Sequence, residues 1–178
     1  MKIKLTFLLF ISFSSHFSFG QIKAEDFHID TAITGFHFAT NFSGTEVYTP
    51  HGQPDLETIN PTAFSYTIMP NATYQDALDQ INQLLSFTIK DGYTETGIVR
   101  KDTSINGNKA YCVSLLETQK GTNYKNLVFY AFYVKGNAVL LFVSGDLDNG
   151  KYIENIKKTF YSIKWLCCMN NCVDKFYY

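Results

Sequence analysis

The sequence predicts an α+β domain: an antiparallel sheet of about five to six strands packed with helices. Three observations carry this. A long amphipathic stretch at 74–90 has helical spacing, two pairs of apolar runs beyond it are joined by tight turn signals, and a second amphipathic stretch follows at 151–164. Strands joined by two-residue turns must run antiparallel, which excludes a doubly wound parallel sheet.

The chain opens with Lys2 and Lys4, an apolar run from Leu5 to Phe13, and small residues Ser18 and Gly20 ahead of Gln21. This is the pattern of a secretory signal peptide over residues 1–20, and its apolar run is too short to span a bilayer. The expectation is an exported protein, periplasmic or extracellular, whose domain covers 21–165. Without Lys2 and Lys4, fifteen basic residues become thirteen against sixteen acidic ones, a formal charge of −3. That balance offers nucleic acid or anionic lipid no attractive field. No later apolar stretch approaches spanning length, so no membrane span is expected after signal cleavage.

Upstream of residue 64 the pattern is weak. Gly35 to Ala39 and Phe64 to Met69 read as strands, and Thr45 to Pro61, with three prolines, reads as mostly loop. In the 74–90 helix Tyr74, Ala77, Leu78, Ile81, Leu84, Leu85 and Thr88 share one face, with Asp76, Asp79, Gln80, Asn82 and Gln83 on the other. Thr73 with Asp76 forms a capping box, and Gly92 ends the helix. Tyr93 to Lys101 and Lys109 to Thr118 are then strands around Asn106-Gly107, a turn whose residues accept positive φ. Asn126 to Val134 and Ala138 to Ser144 pair around Gly136-Asn137. Both are apolar at nearly every position, as strands covered on both faces must be. The closing helix carries Ile153, Ile156, Phe160 and Ile163 on its inner stripe, with Asp148 or Asn149 as its expected cap.

The run Asn126-Leu127-Val128-Phe129-Tyr130-Ala131-Phe132-Tyr133, the Lys135-Gly136-Asn137 turn, the strand Ala138 to Val143 and the helix Tyr152 to Trp165 together resemble the C-terminal half of the PsbP-like superfamily. With the upstream helix and the Asn106-Gly107 hairpin, the resemblance covers roughly residues 64 to 165. It is one of pattern and not of signature residues, so no functional residue carries over. It implies an α/β/α sandwich and a binding, assembly or chaperone-like role without catalysis.

The chemistry-bearing residues form no catalytic constellation. Asp146, Asp148, Asn149 and Glu154 gather hard oxygen ligands, but Gly150 stands where the fifth EF-hand position needs one. His28, His37 and His51 lack the spacing of a zinc site on one element. Ser144-Gly145 follows an apolar strand, yet Phe142 replaces the first glycine of a nucleophile elbow. Catalytic, cofactor-binding and metal residues are therefore read as none, and no cofactor is expected. Cys112, Cys167, Cys168 and Cys172 are disulfide candidates in an oxidising compartment. A bridge from the Cys-rich 166–178 tail to Cys112 would staple the C-terminus down; equally, Cys112 reads as a small buried apolar residue.

Two functions follow as expectations. The first is an exported, non-catalytic protein that binds an unidentified protein partner in the envelope. The second is a small-ligand or metal-handling protein, an enzyme included, with its pocket between sheet and helices.

Overall fold

The computed structural model describes residues 27–53, 62–90 and 92–165. The proposed signal segment and the tail with Cys167, Cys168 and Cys172 lie outside the described residues. Seven strands form one antiparallel sheet, more than the five to six expected. They are β2 (His37–Phe42), β3 (Thr45–Thr49), β4 (Ala63–Pro70), β5 (Tyr93–Ile105), β6 (Asn108–Gln119), β7 (Lys125–Lys135) and β8 (Ala138–Asp146). Their spatial order is β2-β3-β4-β8-β7-β6-β5. A two-stranded ribbon joins β1 (Phe27–His28) to β9 (Lys164–Trp165), Phe27 opposite Trp165.

The extra strand is β3. Residues 45–49 fall inside the stretch read as loop, but only the prolines beyond Thr49 fit that reading. Ser43 and Gly44 take positive φ (49° and 86°) and fold β3 back on β2 as a tight hairpin. The strand expected at Gly35–Ala39 starts later, because Gly35 at φ 71° ends the four-residue helix α1 (Thr31–Thr34).

Three layers result. The helix α2 (Tyr74–Lys90) covers one face of the sheet and α3 (Ile153–Ser162) the other. Alternation along β7 divides its side chains: Phe129, Ala131 and Tyr133 point to the α3 side, Val128, Tyr130 and Phe132 to the α2 side. The cover on both faces that the apolar strands require is therefore present, in the α/β/α layering the resemblance implies.

The capping box of α2 is formed as expected. The Thr73 amide donates to Asp76 Oδ2 (2.7 Å) and the Asp76 amide to Thr73 Oγ1 (3.2 Å), while the Gly92 amide closes on the Ile89 carbonyl (3.1 Å). At α3 the expected cap is corrected. Neither Asp148 nor Asn149 caps it; Asp146, at the end of β8, accepts from the amides of Asp148 (2.9 Å) and Tyr152 (2.6 Å). A carboxylate held in the sheet is already fixed in place, whereas a loop residue must be ordered to do the same job. Asp148 instead accepts from the Thr62 hydroxyl (3.2 Å).

Candidate functional site

The free edge of the sheet beside α2 is the first candidate. β5 is thirteen residues long and pairs only with β6 within the sheet. Alternate backbone N–H and C=O groups of such a strand point away from its one neighbour. Its register shifts between Thr96 and Val99, where Gly97 takes φ 62°, and this bulge turns Ile98 and Val99 outward, 45% and 61% exposed. The opposite edge, β2, is six residues long and shows Phe38 and Phe42.

Between β5 and α2 lies an open groove of about 690 Å³, with Tyr74, Asn82, Arg100, Asp102, Lys109 and Tyr111 in its wall. Its arginine is held by neutral partners. Arg100 Nη1 donates to Asn82 Oδ1 (3.2 Å) and Tyr111 Oη (3.1 Å), so the bonds holding its guanidinium neutralise none of its charge. The Tyr74 hydroxyl donates to Asp102 Oδ1; burial first, then that bond and its charge, raise the phenol to about 12. Sequence spacing does not reveal this set, because it joins one helix to two strands across separations of 11 to 28 positions.

The second candidate lies at the other end of α2. Along β6 the inward stripe Tyr111, Val113, Leu115 ends in Glu117, only 3% exposed. Glu117 sits directly opposite Glu95 of β5 and Asn126 of β7. Asn126 Nδ2 donates to Glu117 Oε2 (3.0 Å), leaving Glu117 Oε1 and Asn126 Oδ1 without a partner. The Thr88 hydroxyl, from the last turn of α2, reaches Glu95 Oε1 (2.8 Å). Burial drives the Glu117 carboxyl up to about 7; the Asn126 bond opposes this, Glu95 adds to it, and Thr88 opposes it. After burial itself, Glu117 pushes Tyr124 and Tyr130 upward as well, and Glu95 adds to the effect on Tyr130. No cation figures among these neighbours. One clue to Glu117 was visible: a carboxylate closing an apolar stripe of period two.

The sequence-derived candidates are not drawn together. Cys112 is a buried free thiol whose sulfur touches the Tyr161 hydroxyl (3.5 Å) and the Lys101 carbonyl (3.8 Å). Its three possible disulfide partners lie outside the described residues. Ser144 is buried and donates to the Phe129 carbonyl (2.7 Å), which ties its hydroxyl into the sheet. His28, His37 and His51 sit on β1, β2 and the turn after β3. Among the described residues no group of three His, Cys, Asp or Glu side chains is placed to hold a metal. On β3, Glu46 Oε2 accepts from both Tyr48 (2.8 Å) and Tyr66 (2.5 Å), which ties that oxygen into the fold. No helix among the described residues is long and apolar enough to cross a membrane.

No protein-family model matches the chain, and no curated protein matches its sequence. Several solved structures are similar in shape, among them these two. One is the Saccharomyces cerevisiae Ran-binding protein Mog1p, at TM-score 0.47 and 8% identity, with 74% of this chain and 86% of that one covered. The other is PA94 of Pseudomonas aeruginosa, a protein of unknown function, at TM-score 0.42 and 18% identity, with 70% and 84% covered. The class that this chain's own elements define is an α+β domain with a seven-stranded antiparallel sheet between helical layers.

Proposed function

We propose that this is an exported, PsbP-like, non-catalytic accessory protein that binds a protein partner along the β5 edge and the adjoining groove. The observation that carries the reading is β5 itself: thirteen residues at a sheet edge, bulged so that Ile98 and Val99 face solvent. An extended segment of another protein can add to such an edge through main-chain hydrogen bonds, with side chains in the neighbouring groove supplying selectivity. Arg100 and Lys109 line that groove. Export rests on the pattern of residues 1–20, and the accessory role on the family resemblance of residues 64 to 165.

The test is a photo-crosslinking residue at Val99 in the protein expressed in its own cells, with a second at Ser86 on α2 as control. A discrete adduct from Val99 alone supports the reading. Equal labelling at both positions, or a monomer without adducts at Val99, contradicts it. Cell fractionation with N-terminal sequencing checks export separately; the mature chain is expected to begin at Gln21.

The second reading, a small-ligand protein, draws on one observation, the groove with its Arg100, Asp102 and Lys109. The space between sheet and helices is filled by Ile81, Leu85, Phe132, Phe142, Ile156 and Phe160, all buried. A ligand would therefore lie in the open groove and keep much of its surface in water, unlike the enclosed sites that small molecules favour.

A further inference from the structure

Glu117 has no part in the edge reading above, and it is the least expected residue in the core. A carboxylate at this position faces three penalties at once. It is removed from water, it stands directly across a ladder from Glu95, and one of its oxygens has no donor. Of the groups packed against it, only Asn126 and Thr88 favour its charged form. From α2 comes the Thr88 hydroxyl, 2.8 Å from both the Leu85 carbonyl and Glu95 Oε1; from β5, Glu95; from β7 and the turn before it, Tyr124, Tyr130 and Asn126. Beyond Asn126 lies Gly145 of β8, with no side chain to offer: a Cβ there would stand 2.7 Å from Asn126 Oδ1. None of these groups carries a positive charge.

A proton corrects this imbalance. The neutral acid keeps Oε2 as acceptor for the Asn126 amide, removes the like charge facing Glu95 and gives the unpartnered Oε1 a proton to donate. The same corner joins the last turn of α2 to β5, because the Thr88 hydroxyl bonds Glu95 while Glu95 faces Glu117.

We propose that Glu117 is a proton-operated latch: it is held as the neutral acid when the C-terminal turn of α2 is docked on β5 and β6, and its ionisation releases that turn. The direction follows from linkage. A carboxyl whose folded value is near 7, against an ordinary 4.5, adds stability that is fully present below 4.5 and is lost as pH rises through about 7. Relative to a variant without the group, the folding equilibrium constant falls by about 10²-fold between pH 5 and pH 8.5.

The experiment is a 13C NMR titration of the full chain with labelled glutamate side chains, assigned through Glu117→Gln. The expected result is a Glu117 carboxyl midpoint close to neutrality, with amide exchange in the last turn of α2 rising through the same midpoint. Glu117→Gln keeps the shape and the Asn126 bond, and its unfolding equilibrium is expected to lose the 10²-fold pH dependence of the unsubstituted protein. A Glu117 midpoint within the ordinary carboxylate range overturns the proposal. So does a near-neutral midpoint that leaves exchange in α2 unchanged, because the group would then titrate without acting as a latch. If Glu117→Gln does not fold, assignment through Asn126→Ser leaves the titration readable.

Discussion

On the α3 side of the sheet the core is built around a connected set of aromatic rings, whereas on the α2 side aliphatic residues outnumber the rings, and that layer is polar at one end and open at the other. Phe64, Phe142, Phe129 and Phe160 form a chain of ring contacts with centroids 5.0 to 6.2 Å apart, and Phe36 and Tyr48 extend it. Two buried carboxylates show the contrast at the level of single atoms. Asp146, at the edge of the α3 layer, is 1% exposed, and each of its oxygens accepts from a backbone amide. Glu117, in the α2 layer, is 3% exposed and has one oxygen unmet. Satisfied buried polar groups add rigidity, and half-satisfied ones leave a local state close in energy to the packed one. The α3 side holds the fold together, and the α2 side is where it can yield.

Substitutions sharpen this contrast. The largest effect belongs to Phe160→Ala, which removes a fully buried ring between Phe129, Phe142 and Tyr161. A loss of about 3–5 kcal/mol in denaturant unfolding is expected. Next comes Asp146→Ala, which strips two backbone amides of a buried carboxylate acceptor and should lose about 2–3 kcal/mol, read in the same way. Gly145→Ala drives a Cβ onto Asn126 Oδ1 and is expected to cost about 1–3 kcal/mol. Combined with Asn126→Gly, most of that cost should vanish; simple additivity in the double variant would mean that the two residues do not share the space. The smallest effect is that of Val99→Thr on the exposed edge, expected within about 0.5 kcal/mol of the unsubstituted protein in thermal unfolding.

How much of this was legible in the sequence follows from how local each determinant is. The helix α2 was read with both ends in place, because Thr73, Asp76 and Gly92 act within one turn of the residues they fix. The Asn106-Gly107 hairpin was equally local, and both residues take positive φ (48° and 77°). β3 was missed because its five residues lie next to prolines that dominate a composition-based reading. β-branched Thr45, Val47 and Thr49 at alternate positions, behind Ser43-Gly44, were the available signal. The cap of α3 was misplaced because Asp146 reaches six residues ahead to Tyr152, beyond the spacing of any local capping rule. The site residues were the least legible. Glu95, Glu117 and Asn126 meet only through strand register, and Arg100 meets Asn82 only once α2 lies over the sheet.

The claim that one layer holds and the other yields is tested most directly by native-state amide hydrogen exchange at pH 6 and pH 8, corrected for intrinsic rates. The amides of β7, β8 and α3 are expected to exchange only through global unfolding at both pH values. Those in the last turn of α2 and the first residues of β5 are expected to open locally, and more readily at pH 8. Equal protection of the two layers, or local opening confined to α3, would contradict the account.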